Sequence, residues 1–240
     1  MSQQKKQNSY PNIFLLEHAT NTSKTLFFEN SIIRTYKKGE SIFRDKEQVN
    51  VFYFLLSGYL SLYKISNNHE KKVIFICRPG EIINEVMIQK DYASIYAETL
   101  SKCEILAIEK KTLRSLMAQD YPIAESMMAS MASKIRRLYR QLKNTPNSIK
   151  LDHQLASKIW KLGRDFGSPT ENGIEIKFDI TISFLADMLG TKRETVSRQF
   201  QKLSSLGIVS FNRRKLCITD LQGRVYSYKF YIVKIFYPNS

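Results

Sequence analysis

The chain has 240 residues, enough for one large domain or two modest ones, with 43% hydrophobic and 25% charged residues, an ordinary globular balance. Thirty-seven Lys and Arg against 22 Asp and Glu leave a net charge of +15, which favours an anionic partner: nucleic acid, an acidic membrane surface or an acidic protein. No 18-residue apolar run and no apolar leader in MSQQKKQNSYPN speak for a membrane span or a signal peptide. Three scattered cysteines (Cys77, Cys103, Cys217), without a CxxC, argue against a disulfide framework, a zinc ribbon or an iron–sulfur cluster. A reducing cytoplasm is the expected setting.

In chain order, residues 1–25 read as a tail, polar and frayed over 1–12. Strand-like runs follow at residues 51–56 (VFYFLL), 59–65 (YLSLYKI), 72–77 (KVIFIC), 95–99 and 103–108. Ser57-Gly58, Asn67–Glu70 and Pro79-Gly80 supply the turns. Short strands at this spacing predict a β-sandwich, barrel or jelly roll over 26–121. The period then changes. Pro122 suits the first turn of a helix over 122–143. Ala124, Met128, Met131, Ile135, Leu138 and Leu142 fall at spacings of 4, 3, 4, 3 and 4. One reading is a helix packed on its own sheet, with methionine as gap filler. The reading followed here is a dimer helix, since the seam is long and narrow. Residues 144–152, with the polar NTPNS segment, read as a hinge. Helical spacing returns over 153–165, and 167–173 (GSPTENG) reads as a loop. A β-rich half joined to an α-rich half makes the fold class α+β.

Residues 181–206 (TISFLADMLGTKRETVSRQFQKLSSL) are the most informative. Thr181 can cap a short helix ending near Met188, and Gly190 sits where a sharp turn needs a positive φ. A second helix from about Lys192 would bury Val196, Phe200 and Leu203. Helix, glycine turn, helix is the helix-turn-helix pattern. The exposed face of the second helix carries Lys192, Arg193, Glu194, Ser197, Arg198 and Lys202. Arg, Glu and Ser can read base edges, and the amide dipole at the helix start favours phosphate. Residues 207–211 and 216–219 then read as two strands joined by Asn212-Arg213-Arg214-Lys215, a winged hairpin with a basic tip.

Gly190-x-x-Arg193-Glu194-Thr195-Val196-Ser197-Arg198, followed by Leu203, Leu206-Gly207-Ile208 and the wing, resembles the Crp/Fnr family of bacterial transcription regulators. Gly39-Glu40, Leu56-x-Gly58 and Pro79-Gly80-Glu81 add weaker support. The resemblance covers about residues 30–222. It implies an N-terminal effector-binding jelly roll (a double-stranded β-helix), a long dimerisation helix seamed by Met128, Met131, Ile135, Leu138 and Leu142, and a winged helix-turn-helix over 153–222. It makes Arg193, Glu194, Ser197 and Arg198 base readers on a palindrome with TGA-type half-sites. Thr181, Lys192, Lys202, Arg213, Arg214 and Lys215 become phosphate contacts. Implied partners are double-stranded DNA, a second copy, RNA polymerase for an activator, and a small-molecule effector, with no membrane.

The family's cyclic-nucleotide signature is altered. Asn84 replaces its glycine, Ala93 its phosphate-binding arginine, while Glu85 and Ser94 remain. A buried phosphate without its cation is costly, so cyclic AMP is not the expected ligand. Glu85 either holds a ligand hydroxyl or only closes a turn. Asn84, Glu85, Ser94, Tyr96, Tyr139 and Arg140 form the candidate effector pocket. His18, His69 and His153 make no metal or haem set. The signal is an unidentified small molecule, a redox change at Cys77 or Cys103, or absent. Residues 223–240, with the aromatic run VYSYKFYIVKIFY, extend beyond the family's usual end, and pack on the DNA-binding domain or add a strand. Two other classes compete: a cupin-like metal enzyme, for which no P-loop, HExxH or GxSxG is present, and a basic membrane-surface or protein-binding module using that aromatic tail.

Overall fold

A computed structural model of the chain describes residues 11–143, 150–171 and 173–219. These fall into two compact units, the first made of residues up to Lys64 and of Ile74–Tyr139, the second of Ile65–Val73 and of the chain from Arg140 on. The proposed hinge at 144–148 and the aromatic run at 225–237 lie outside the described residues.

In the first unit, helix α1 (Asn21–Glu29) precedes strands β1 (Ser31–Tyr36), β2 (Ser41–Phe43), β3 (Val51–Ser57), β4 (Leu60–Ile65), β5 (Lys71–Cys77), β6 (Tyr96–Thr99) and β7 (Cys103–Glu109). Helices α2 (Lys110–Gln119) and α3 (Tyr121–Lys143) follow. The strands form two antiparallel sheets, β1-β7-β3 and β2-β6-β4-β5. This is the expected β-rich domain. The alternation of β3 and β7 explains the layering. Leu55, Cys103 and Ile105 point into one core with Phe43, Leu60, Leu62 and Ala97 of the second sheet. Phe52, Phe54, Leu106 and Ile108 point the other way, onto Phe27 of α1, Leu113 and Leu116 of α2, and Ile123 and Met127 of α3. A sheet covered on both faces gives near-continuous apolar strands. Gly58 turns the chain between β3 and β4 at φ +84°, where an added Cβ would sit 2.2 Å from the Lys102 carbonyl oxygen. Only glycine fits there.

The tail assignment for 1–25 needs correction. Ile13, Leu15, Leu16 and Ala19 belong to the helix-side core. Thr20 caps α1, its hydroxyl accepting from the Ser23 N–H at 3.3 Å. Asp120, at the α2–α3 junction, accepts from both the Thr20 N–H and the Thr20 hydroxyl at 2.8 Å. Helix α2 has no counterpart among the sequence expectations, because Lys110 follows β7 without a breaker.

In the second unit, helix α4 (Leu151–Phe166) starts inside the stretch assigned to the hinge. The loop assigned to 167–173 is instead a hairpin of β8 (Gly167–Thr170) and β9 (Gly173–Ile176). Pro169 is tolerated because β8 is an edge strand, paired only with β9. Helices α5 (Ile182–Leu189) and α6 (Arg193–Ser205) and strands β10 (Val209–Asn212) and β11 (Lys215–Ile218) complete a sheet of order β10-β11-β9-β8.

Hydrogen bonds from Ser23 and Thr20 hold the Asp120 carboxyl below its usual range. Such a group stabilises the fold above ~pH 4 and loses that contribution as pH falls through its folded pKa. Asp120→Asn is therefore expected to lower the urea midpoint at pH 7 and to lie closer to the wild type at acid pH. An equal deficit at both pH values would show that the charge is not the source.

Candidate nucleic-acid interface and effector pocket

The Thr181 hydroxyl accepts from the Phe184 N–H at 3.1 Å and so caps α5. Gly190 ends that helix in the left-handed region, φ 67° and ψ 48°. Helix α6 then buries Val196, Phe200 and Leu203. They rest in the core with Leu185 and Ala186 of α5 and Leu155, Ile159 and Leu162 of α4. The opposite face leaves Lys192, Arg193, Glu194 and Arg198 exposed, with Ser197 half-buried. Glu194 lies in the first turn, where the helix dipole favours an acid. Phe211 of β10 stacks on Phe200 at 4.8 Å and ties the hairpin to α6.

The phosphate candidates differ in their commitments. Arg213 and Arg214 are exposed at the tip of the β10–β11 hairpin. Lys202 lies 3.2 Å from Asp152 and so joins α6 to the start of α4. Burial pushes the Asp152 carboxyl up, but the Lys202 ammonium and the His153 N–H outweigh it and hold the group below the usual carboxylate range. Lys215 donates to the Lys177 carbonyl at 2.9 Å and lies 3.5 Å from Asp179.

The effector-pocket residues do not share one environment. Asn84 is a clasp between strands and turn: its side-chain oxygen accepts from the Tyr53 N–H at 2.8 Å, and its amide donates to the Val51 carbonyl at 2.9 Å. Glu85 is fully buried. One carboxylate oxygen accepts from Lys134 at 2.6 Å and the other from the Ser130 hydroxyl at 2.9 Å, both on α3. Lys134 also donates to the carbonyls of Ile82 and Ile83, at 3.1 and 3.4 Å. Ser94 is exposed, and Tyr96 stacks on Tyr63 at 5.0 Å. Tyr139 and Arg140 are exposed on α3. Sequence reasoning missed Lys134 and Ser130 as partners. The available signal was position: 134 lies seven residues after Met127 and eleven after Ile123, on the buried face. A cavity of about 550 Å³ opens beside this pair, lined by Phe14, His18, Arg78 and Arg137 among others.

Helix α3 carries two stripes. Ile123, Met127 and Lys134 face the unit's own core, with Met131 half-buried at its edge. Met128, Ile135 and Leu142 stay 52%, 46% and 71% exposed, and Leu138 is exposed beside them. Packing on the unit's own sheet thus accounts for the first stripe and leaves the second uncovered. Burial pushes the Cys77 thiol up to about 12 and raises Cys103 in the same direction, so neither is a ready thiolate. Among the described residues no cluster of His, Cys, Asp and Glu could hold a metal ion, and no helix is long and apolar enough to cross a membrane.

A cyclic nucleotide-binding domain model matches residues 33–120, and a Crp-like helix-turn-helix domain model matches 153–223. The chain belongs to the Crp/Fnr family. Its members of this kind are DNA-binding transcription regulators, and that is the function of this chain. A CRP-like cAMP-activated global transcriptional regulator of Mycobacterium tuberculosis is 22% identical over 188 residues, covering 77% of this chain and 83% of the relative. An anaerobic regulatory protein of Haemophilus influenzae is 21% identical over 189 residues, covering 79% and 73%. The fold matches the c-di-GMP-responsive regulator CLP of Xanthomonas campestris with a TM-score of 0.73 at 18% identity, covering 84% of this chain and all of that one. FixK2 of Bradyrhizobium japonicum matches with a TM-score of 0.69, covering 82% and 96%.

Removing one member of a buried ion pair leaves the other uncompensated and costs about 3–5 kcal/mol. Lys134→Met is expected to lose stability of that order in urea denaturation, and adding Glu85→Leu is expected to restore most of it. A single variant as stable as the wild type would show that the pair is not buried in solution.

Proposed function

We propose that this regulator works as a homodimer on a palindromic site with TGA-type half-sites, under the control of an effector other than cyclic AMP. The observation that carries the DNA reading is the exposed start of α6, where Arg193, Glu194 and Arg198 stand free of the apolar triad behind them. Arg193 and Arg198 suit guanine O6 and N7, Glu194 accepts from cytosine N4, and Ser197 bonds a base edge or phosphate. Lys192, Thr181, Arg213 and Arg214 supply phosphate contacts, with a salt-dependent contribution to affinity. Lys202 and Lys215 join them only by leaving Asp152 and Asp179.

The exposed stripe of Met128, Ile135, Leu138 and Leu142 supports a seam with a second copy, because it repeats at heptad spacing beside the buried stripe. Two copies would set their recognition helices about 34 Å apart, one DNA turn. Cyclic AMP fits this chain poorly. The position of the phosphate-binding arginine is Ala93, which is buried, and the Glu85 carboxylate already has two partners. The cavity beside α3 is the better entry for an effector, since Lys134 and Ser130 line it and also hold Glu85.

Selection from a random duplex pool at about 0.15 M salt is expected to return a palindrome with TGA-type half-sites. Arg198→Ala should lose about 1–3 kcal/mol on that site and relax one base position. Equal weakening on all sequences would remove Arg198 from the base readers. Ile135→Asp is expected to shift the protein from dimer to monomer in sedimentation and to abolish binding to the full palindrome. A dimer that survives it would place the interface elsewhere.

A further inference from the structure

Four non-glycine residues among those described have φ in the left-handed region: Lys46, His69, Arg213 and Arg214. Only the last two are adjacent. They are the two central residues of the β10–β11 hairpin, closed by the Asn212–Lys215 pair. Two successive positive φ values, 45° and 71°, are the geometry of a type I′ turn. That turn favours Asn-Gly, because a residue with a long side chain meets the steric penalty of the left-handed region at each position. The chain places two arginines there instead.

The turn is also firmly mounted. The Ile180 N–H donates to the Arg214 carbonyl at 3.1 Å, next to the cap of α5. Lys215 is tied to Lys177 and Asp179, and Phe211 is stacked on Phe200. Both arginines are exposed, and among the described residues no acid pairs with either guanidinium. A stiff mount therefore presents two uncommitted guanidiniums at the expense of the turn's own preference.

Phosphate contact alone does not explain this choice. A flexible tip would supply the same charge without the double strain, and a pair of lysines would supply it at the same strain. A guanidinium differs from an ammonium in being planar and weakly hydrated. Those properties matter where the cation must shed water and enter a narrow groove, as in the A·T-rich minor groove with its deepened negative potential. With α6 in the major groove, four-residue strands project the tip by about 13 Å, the right scale to reach the neighbouring groove. We infer that Arg213 and Arg214 enter the minor groove flanking each half-site and select A·T-rich flanks that the recognition helix never touches. This rests on the DNA-binding reading of α6.

The test uses the full-length protein and duplexes that share the selected half-sites but carry either an A·T tract or a G·C run at the flanks. Fluorescence anisotropy at about 0.15 M salt gives the two affinities. The wild type is expected to prefer A·T flanks about tenfold, on the scale of one good groove contact. Arg213→Asn with Arg214→Gly installs the preferred turn, so the melting temperature should hold or rise while the flank preference falls below about twofold. Arg213→Lys with Arg214→Lys should keep the salt dependence and lose most of the preference. A wild type that binds both flanks equally, or an Asn-Gly variant that weakens equally on both, would reduce the tip to phosphate contact and overturn the inference while leaving half-site recognition intact. A protein that does not distinguish the half-sites from random duplex would overturn both.

Discussion

The rotation of α3 about its own axis decides what the first unit can do, and the Glu85–Lys134 pair fixes that rotation. Apolar side chains do not settle it. Ile123 and Met127 make one stripe, and Met128, Ile135 and Leu142 make another about a quarter to a third of a turn away. A sheet surface of Phe52, Phe54 and Leu106 would accept either. Lys134 breaks the tie. Its ammonium must find a buried carboxylate and two carbonyls, and only one orientation supplies Glu85, Ile82 and Ile83 together. Buried ion pairs contribute little net stability but exclude alternative packings when one register alone satisfies them. Here the excluded packing is the one that would bury Met128, Ile135 and Leu142.

The second unit solves a similar problem by different means. Helix α6 must keep its cations outward, and three contacts hold it so. Val196, Phe200 and Leu203 enter the core, Phe211 stacks across Phe200, and Lys202 pairs with Asp152 at the start of α4. The last contact commits one of the basic residues of α6 to joining that helix to the start of α4. The basic residues are thus divided between structure and recognition, and the net charge of +15 overstates the number available to phosphate.

Sequence legibility followed how local the determining physics is. The helix-turn-helix was readable because each step is fixed within a few residues: a Thr181 cap, a left-handed Gly190, an apolar triad at helical spacing. The strands of the first unit were readable from apolar runs bounded by turns. The pieces missed depend on distant partners. Helix α1 (Asn21–Glu29) straddles the boundary drawn between tail and β-rich domain at 25/26, and its place shows only where Phe27 meets Phe54 at 5.3 Å. GSPTENG reads as a loop until β11 extends a sheet beside β9. The role of Glu85 stayed open because its partner lies 49 residues away.

That partner changes what the retained glutamate means. In a nucleotide pocket the carboxylate answers to a ligand; here it answers to α3. A ligand bound beside Ser130 and Lys134, as proposed above, would act on the pair that holds α3. The residues lining the cavity at 126, 130, 133 and 137 lie on the flank of α3 away from Met128 and Ile135, so a ligand there would not touch the exposed stripe directly. Such coupling requires that a ligand bind one arrangement of α3 better than another. The Ser130 hydroxyl and the Lys134 ammonium both line the cavity and both hold Glu85, so a ligand that competed for either would act on the buried pair itself.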